Sequence, residues 1–489
     1  HFCRPSRSRR LTMLLSTGGS RDDRHPPRSV TMPASVSVPS PFASFQQTRP
    51  HQSLVRAAIT AAYRRAEPDC VAGLIDDATL SPGAASGARQ VALDLVTRLR
   101  GKAGGGPIET LMQEYALSTP EGVALMCLAE ALLRIPDTAT RDALIRDKIA
   151  PGDWKAHLGH SRSLFVNAAT WGLAITGRLI ATVSETSLSS ALTRLIARGG
   201  EPVIRGAVDL MMRLLGQHFV AGETIEQALA HAAPLEARGY RFSYDMLGEA
   251  AMTDDAARRY LASYEMAIRA IGASARGKGA IGGPGISVKL SALHPRYSRT
   301  QYERVMTELL PRLKHLAVLA REGGIGLNID AEEADRAELS LDLVEALAFD
   351  PDLAGWDGLG FVVQAYGKRA PFIIDWLIGL GRRARRRLMV RLVKGAYWDA
   401  EIRRAQVDGL EDYPVFTRKV HTDVSYLACA RKLLGAPDVI FPQFATHNAQ
   451  TLAAVLAMAG PSFSSAQYEF QCLHGMGEAL YDGRCQLDE

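Results

Sequence analysis

The sequence has few cysteines and none in a pattern that binds a metal. No two of them form a CxxC pair, and none lies near a histidine at the spacing of zinc ligands. A scattered set of this kind is typical of a reduced, cytoplasmic protein, and we expect no metal. The six cysteines are Cys3, Cys70, Cys127, Cys429, Cys472 and Cys485.

A long uninterrupted apolar run is also missing. The longest apolar stretch, "SLFVNAATWGLAITGRLIATV" at 163–183, contains Asn167 and Arg178 and is too polar to span a bilayer. We read it as a core helix. The formal charge of +5 is small for 489 residues, so we expect no nucleic-acid partner.

The first half of the chain is predicted to be scaffold. Residues 1–50 are rich in Arg, Ser and Pro and are predicted to be disordered, with translation expected to start at Met32. Apolar residues at helical spacing predict a helical arm at 51–105 and a helical linker at 106–239, separated by glycines at 104–106. No catalytic constellation stands out in this half.

From Tyr240 onward the pattern changes to alternating strands and helices. The apolar, β-branched or aromatic runs that predict strands are "YRFSYD", "GISVKL", "IGLNID", "GFVVQA", "RLMVRLV", "VIFPQFAT" and "YEFQCL". Amphipathic stretches follow most of them, which indicates a parallel sheet covered by helices. We therefore predict an α/β fold, a (β/α)₈-type barrel at 240–489 with only seven strands identifiable.

Each predicted strand carries a polar residue at or near its end. Parallel strands of a barrel bring their carboxyl ends to one mouth, where ligands bind. A single such residue could be a helix cap or a satisfied core group, but a polar tip on every strand favours a site. The residues are Asp245, Lys289, Asp330, Gln364, Arg391 with Lys394, Thr446 to Asn448, and Gln471 with Cys472.

The residue types at this mouth favour a flavin. The glycine motifs "GKGAIG" (277–282) and "GMGEA" (475–479) do not lie between a strand and a helix of a dinucleotide-binding unit. Cations and amide donors suit the electron-accepting edge of an isoalloxazine ring, and aromatic side chains suit its faces. Arg391, Lys394 and Gln364 supply the first, and Tyr397 and Trp398 the second.

Two other classes of function stay open. A barrel without flavin could use Lys289 as a Schiff-base nucleophile in a lyase or isomerase reaction. The chain could also be a non-catalytic fragment that binds a partner.

Several longer motifs resemble one family. "SVKLSALHPRYS", "NIDAEEADR", "RLVKGAYWDAEI", "FATHNAQT" and "YEFQCLHGMGE" closely resemble the proline dehydrogenase domain of the bifunctional bacterial proline utilisation A flavoenzymes, and the resemblance runs from about Ser53 to Tyr481. It implies a distorted barrel behind helical arm and linker segments. It also implies non-covalent FAD and oxidation of L-proline to Δ1-pyrroline-5-carboxylate, the first step of proline catabolism to glutamate. Electrons would pass to a quinone, so the resemblance implies a cytoplasmic protein that visits the inner face of the membrane. A homo-oligomer stays open as a further partner state.

The resemblance also implies roles for individual residues. Lys289 would bind the proline carboxylate, Arg391 would lie near flavin N5, and Asp245 would share the polar floor. We expect the catalytic set to be Asp245, Lys289, Asp330, Arg391 and Tyr397. The residues implied to bind the cofactor are Asp330, Ala331, Gln364, Arg391, Val393, Lys394, Gly395, Ala396, Tyr397, Trp398, Thr446, His447, Asn448, Gln471, Cys472 and Leu473.

The sequence departs from the family pattern in its last part. An arginine pair on the last barrel helix, which clamps the substrate carboxylate in the family, and a tyrosine on the last strand are not identified here. Neither is the aldehyde dehydrogenase domain nor the ribbon-helix-helix of DNA-binding members. The tail "DGRCQLDE" also differs, and we expect a truncated barrel.

We predict that this chain has little or no proline dehydrogenase activity. Loss of two charge-assisted bonds to a carboxylate weakens binding by about 3–6 kcal/mol. The measurement is proline turnover by purified protein supplemented with FAD. Turnover at the affinity usual for the family would contradict the prediction.

Overall fold

The computed structural model describes residues 53–101, Thr140, 220–461, 463–464 and 466–485. The predicted disordered segment 1–50 and most of the predicted linker lie outside these residues. Within them, helices α1–α5 precede the sheet: Leu54–Ala61, Glu67–Ala72, Ile75–Ala78, Pro82–Gly101 and Ile225–Glu236.

Seven parallel strands follow, hydrogen-bonded in the order of the chain. Every run that predicted a strand coincides with all or most of one, so the predicted barrel-type sheet is confirmed. Successive parallel strands in sequential order, each followed by a helix, curl into an open barrel. Strands β1–β7 are Ser243–Asp245, Gly285–Val288, Gly326–Ile329, Leu359–Gln364, Leu388–Val393, Ile440–Ala445 and Glu469–Gln471.

The connecting segments are mainly helical. Helices α6–α16 are Asp254–Ser274, Gly279–Gly282, Leu290–Leu293, Tyr302–Arg304, Leu310–Glu322, Ala337–Ala348, Ala370–Ala384, Trp398–Val407, Lys419–Leu434, Ala449–Ala459 and Glu478–Cys485. A π-helical turn, Val305–Leu309, joins α9 to α10, and 3₁₀ turns lie at Arg299–Gln301, Ala334–Arg336 and Pro351–Leu353.

The strands are buried because helices cover their outer face and side chains fill the interior. Leu327, Ile329, Leu392 and Phe444 are fully buried in the same apolar cluster as the inner faces of the helices. Burial on both faces explains why these strands read as near-continuous apolar runs rather than alternating ones.

A chain of polar side chains crosses the barrel interior. Asn328 Nδ2 donates to Gln443 Oε1 at 3.2 Å, and Gln443 Nε2 donates to Glu469 Oε1 at 2.8 Å. Arg241, just before β1, donates from Nη2 to the other oxygen of Glu469 on β7 at 2.9 Å. Because β1 and β7 each pair with one neighbour within the described residues, this ion pair joins the two edges of the sheet.

A second contact lies at the same seam between the first and last strands. Tyr240 Oη and Arg238 Nη2 donate to Asp482 Oδ1 of α16 at 2.7 and 2.6 Å. The last helix described is therefore tied to the segment that enters β1.

The arm helices α1–α4 pack on the outside of the barrel. Ala88 and Ala92 of α4 contact Ala453 of α15, where small side chains allow a close approach. Arg56 of α1 forms an ion pair with Asp342 of α11, and its guanidinium lies 5.2 Å from the centroid of the Trp376 ring.

We predict that Gly360→Ala destabilises the barrel by about 1–3 kcal/mol through overpacking. A Cβ at Gly360 would lie 1.6 Å from Asn328 Oδ1 and 3.2 Å from Asn328 Cα. The measurement is the free energy of unfolding in urea. Gly379→Ala is the matched control, because a Cβ at Gly379 in α12 would meet no atom within 4 Å. It should stabilise the protein by about 0.5–1 kcal/mol, and equal effects of the two substitutions would contradict the prediction.

Candidate active site

An ionic cluster lies at the carboxyl ends of the first three strands. Lys289 Nζ, directly after β2, contacts Asp245 Oδ1 at 2.7 Å and Oδ2 at 2.9 Å, and Asp330 Oδ2 at 3.2 Å. The side chains of Lys289 and Asp330 are 16% and 15% exposed, whereas Asp245 at the rim is 46% exposed. These residues were predicted separately from three strands, and the fold brings them together.

Arg391 reaches the same cluster from β5 across the sheet. Its Nη1 donates to Ser287 Oγ at 2.9 Å and to Asp330 Oδ1 at 3.3 Å, and its Nη2 donates to Ser243 Oγ at 2.9 Å. Three strands therefore fix the plane of the guanidinium. Its Nε is buried and has no hydrogen-bond partner among the described residues.

The electrostatics keep the lysine charged. Desolvation lowers the pKa of Lys289, but the Asp330 and Asp245 carboxylates raise it by more, so it lies above its ordinary value. Desolvation and the neighbouring Asp330 carboxylate raise the pKa of Asp245, against the lowering effect of Lys289 and Arg391. Lys289 is thus suited to bind an anion and poorly suited to act as a nucleophile, which needs a neutral amine.

The backbone after β5 turns sharply beneath an aromatic ring. Gly395 has φ of +134°, and a Cβ there would lie 2.5 Å from the Tyr366 ring. The amide of Ala396 donates to Gln364 Oε1 at 3.1 Å, and Gln364 Nε2 donates to the carbonyl of Glu332 at 2.9 Å. Gln364 therefore links the ends of β3, β4 and β5 and holds an exposed strip of backbone at Gly395 and Ala396.

The two aromatic residues of this segment have separate anchors. Tyr397 Oη donates to Glu249 Oε2 in the loop after β1 at 3.3 Å. Trp398 begins α13, donates from Nε1 to the carbonyl of Phe416 at 2.9 Å, and is 40% exposed. Both residues lie at the end of β5 that faces the mouth of the barrel, because they come shortly after that strand in the chain.

Lys394 points away from the ionic cluster. Its Nζ contacts Asp423 of α14 at 2.7 Å and Thr451 Oγ1 of α15 at 3.2 Å, and it lies 5.9 Å from the centroid of the Tyr426 ring. Val393, the last residue of β5, and Ala331, next to Asp330, are half-buried at their strand ends. Lys394 thus stabilises the wall between β5 and β6 in this structure.

The ends of β6 and β7 are joined by local hydrogen bonds. The Thr446 amide donates to the Gln471 carbonyl at 3.1 Å, and His447 Nε2 accepts from the Leu473 amide at 2.9 Å. Desolvation lowers the pKa of His447, in keeping with a neutral ring that accepts at Nε2. Asn448 caps α15 by accepting from the Thr451 amide at 2.9 Å.

Cys472 packs against a glycine of the loop that follows. A Cβ at Gly477 would lie 2.3 Å from Cys472 Cβ and 2.9 Å from His447 Cδ2. The Gly475 and Gly477 amides donate to the Glu478 carboxylate at 2.7 and 3.1 Å. These amides of "GMGEA" are therefore already paired, in agreement with the expectation that the motif is not part of a dinucleotide-binding unit.

Sequence reasoning missed the serines that hold Arg391. Ser287 precedes Lys289 by two residues, and Ser243 precedes Asp245 by two. Because strand side chains alternate between faces, this spacing of two could have placed both hydroxyls on the same inward face as the predicted charged residues.

The charged residues lie at the carboxyl ends of the strands, which is where barrel enzymes have their active sites. The fold and the site therefore define a barrel enzyme. The family described as "Proline dehydrogenase" matches residues 228–488, more than half of the chain. The chain belongs to this proline dehydrogenase family.

Two further families match the part of the chain before the barrel. "Proline utilization A proline dehydrogenase N-terminal domain" matches 53–100, which contains most of α1–α4. "DNA-binding domain of Proline dehydrogenase" matches 107–219, which lies outside the described residues apart from Thr140. Because this family is described as DNA-binding, the expectation that the chain has no nucleic-acid partner is not confirmed and stays a prediction.

Similar curated proteins include some that are much longer than this chain. "Bifunctional protein PutA" of Salmonella typhimurium is 63% identical over 446 residues, which is 90% of this chain and 34% of that protein. The Escherichia coli protein of the same name is 60% identical over 96% of this chain and 36% of its own length. The chain thus spans about a third of the length of these two relatives. "Proline dehydrogenase 1" of Bacillus subtilis is 27% identical over 54% of this chain and 76% of its own length.

Solved structures support the same fold. A mutant proline utilization A of Bradyrhizobium japonicum has a TM-score of 0.66 and 47% identity, over 87% of this chain and 42% of its own. A structure of proline utilization A with proline bound in remote sites has a TM-score of 0.66, 46% identity and the same coverage. That of Bdellovibrio bacteriovorus, 21% identical with a TM-score of 0.64 over 84% and 39% of the two chains, is similar in fold alone.

Neither a membrane-crossing helix nor a metal-binding group is present among the described residues. No helix in the described ranges is long and apolar enough to cross a membrane. No group of three or more His, Cys, Asp or Glu side chains in those ranges is arranged to hold a metal ion.

We predict that Ser287→Ala destabilises the protein by about 1–2 kcal/mol, because a buried hydrogen bond to a charged group is lost. Ser287 is 1% exposed, so water cannot replace the hydroxyl. The measurement is the free energy of unfolding in urea. Ser263→Ala is the control, since its hydroxyl donates only to a carbonyl of its own helix, that of Arg259 at 3.0 Å. Similar effects of the two substitutions would contradict the assigned role of Ser287.

Proposed function

We propose that this chain carries the proline-oxidising site of a proline utilisation A type enzyme. In the reaction, L-proline would lose its ammonium proton and a hydride from C5 as the C5–N bond becomes a double bond, and FAD would supply the hydride-accepting ring. The observation that carries the proposal is the cluster of Lys289, Asp330 and Arg391, joined by bonds of 3.3 Å or less at the strand ends of a chain of this family.

The residues at the mouth fit a flavin. Arg391 Nε is a buried donor without a partner among the described residues, and the Gly395–Ala396 backbone that follows the same strand is exposed. We propose that the residues holding FAD are those implied by the family resemblance: Asp330, Ala331, Gln364, Arg391, Val393, Lys394, Gly395, Ala396, Tyr397, Trp398, Thr446, His447, Asn448, Gln471, Cys472 and Leu473. The contact of Lys394 with FAD would be the least direct, because Asp423 and Thr451 engage its ammonium group.

When bound, FAD supplies the electron-accepting ring of the reaction. Lys289, kept protonated by its two carboxylate neighbours, binds the carboxylate of proline and so orients C5. Asp330 bonds to both Lys289 and Arg391 and fixes the distance between the two cations. Asp245 holds Lys289 from the rim, and Tyr397 borders the mouth through its bond to Glu249.

The amine proton of proline has to leave before the hydride does. Both oxygens of Asp245 and of Asp330 are already engaged by Lys289 or Arg391, and we propose that solvent at the open rim takes this proton. Because Asp245 is 46% exposed, water reaches this side of the cluster.

A Schiff-base reaction at Lys289 fits the site less well. Such a reaction needs a neutral amine, and the two carboxylates raise the pKa of Lys289. A measurement of flavin binding alone would distinguish the proposed enzyme from the non-catalytic fragment.

We propose further that a membrane quinone reoxidises the flavin, as the family resemblance implies. The protein would then be cytoplasmic and would visit the inner face of the membrane without spanning it. Reoxidation by a water-soluble quinone added to the loaded protein would test the acceptor class, and absence of any reoxidation would count against it.

We predict that the purified chain binds FAD, and that proline in large excess bleaches the visible flavin band in the absence of oxygen. The excess offsets the weak affinity expected from the sequence. Lys289→Met should weaken the proline response by about tenfold or more, because a charge-assisted bond is lost. Lys432→Met, which removes a lysine paired with Asp375 on the outside of the barrel, is the control. A chain that binds no FAD, or two substitutions with equal effects, would contradict the proposal.

A further inference from the structure

One carboxylate of the arm reaches a loop beside the candidate site. Glu67, the first residue of α2, accepts from the Thr417 amide at 3.0 Å and from Thr417 Oγ1 at 2.8 Å, and its Oε1 lies 2.5 Å from His421 Nδ1. The Glu67 side chain is 12% exposed. Desolvation raises the pKa of Glu67, but the hydrogen bonds from His421 and Thr417 outweigh it and lower the pKa. The carboxylate is therefore charged and fully engaged.

The loop that Glu67 holds, Asp412 to Thr417, is here named the strap. It lies against the end of β4, where the Phe416 amide donates to the Tyr366 carbonyl at 2.8 Å and the Lys368 amide donates to the Pro414 carbonyl at 3.1 Å. Lys368, whose side chain is fully buried, contacts Asp412 Oδ1 at 2.8 Å. Glu67 on one side and β4 on the other thus fix the strap.

The strap in turn fixes the indole of Trp398. The Phe416 carbonyl accepts from Trp398 Nε1 at 2.9 Å, and Phe416 itself is fully buried. Thr417, which Glu67 binds, is the next residue, so the amide that Glu67 accepts from and the carbonyl that Trp398 donates to belong to the same peptide bond. A shift of that peptide plane would move both hydrogen bonds together.

We propose that Glu67 is a positioning residue for Trp398: through the 416–417 peptide, the arm sets the orientation of an indole at the mouth of the barrel and thereby contributes to cofactor binding. The inference rests on the proposed function only in that Trp398 borders the FAD site. The alternative is that Glu67 merely attaches the arm to the barrel, as Arg56 does with Asp342 of α11.

The experiment compares Glu67→Gln with Arg56→Met in the full chain. Its first measurement is the indole N–H signal of Trp398 in isotope-labelled protein without FAD. This signal is identified among those of the five tryptophans by its loss in Trp398→Phe. We expect Glu67→Gln to shift this signal and Arg56→Met to leave it unchanged. Thr417→Val, which removes only one donor to Glu67, should give a smaller shift and remains informative if Glu67→Gln does not fold.

The second measurement is the FAD dissociation constant in a double-mutant cycle. Glu67→Gln should weaken FAD binding by about tenfold in the wild-type background. It should do so by less than about twofold in Trp398→Phe, whose ring cannot donate to Phe416. Equal losses in both backgrounds, or a loss as large for Arg56→Met, would overturn the inference.

The two measurements separate the inference from the proposed function. If the wild-type chain binds no FAD, the proposed function fails and the indole signal alone decides. A signal that moves in Glu67→Gln then supports the coupling of arm and strap, and a signal that stays in place overturns it.

Discussion

The pairing of two cations with two carboxylates at the strand ends is the interaction on which the candidate site depends. Lys289 and Arg391 are mostly buried, and each would be costly to leave unpaired. Arg391 bonds to side chains from β1, from β2 and from the residue directly after β3, while its own backbone belongs to β5. The parallel register of these strands must therefore be correct before the cluster can form, and the cluster in turn stabilises only that register.

The structure explains the order of the polar, glycine and aromatic residues in the segment "RLVKGAYWD", which runs from Arg391 to Asp399. In a strand, residues three apart lie on opposite faces, so Arg391 enters the barrel while Lys394 contacts the helices outside it. Gly395 then lets the backbone pass beneath Tyr366, and Trp398 begins the next helix with its indole tied to the strap. One short stretch thus contributes to the interior, the wall and the rim of the mouth.

The sequence predicted the sheet well because buried parallel strands are short, apolar and separated by helices. It also predicted that Asp245, Lys289, Asp330 and Arg391 would converge, since strand ends share one edge. It did not predict that Lys394 would face away, although strand alternation contains that information. Contacts such as Glu67 with Thr417, 350 residues apart, have no local signal, because they depend on how the arm packs against a finished barrel.

The contacts at the seam between β1 and β7 differ from those between the other neighbouring strands, which are backbone hydrogen bonds. Within the described residues, side chains join these strands: Arg241 to Glu469, and Arg238 and Tyr240 to Asp482. Backbone ladders respond little to dissolved ions, whereas partly exposed ion pairs weaken as the screening length falls to about 8 Å at physiological ionic strength. Salt can therefore loosen the closure of the arc while the ladders on either side stay intact.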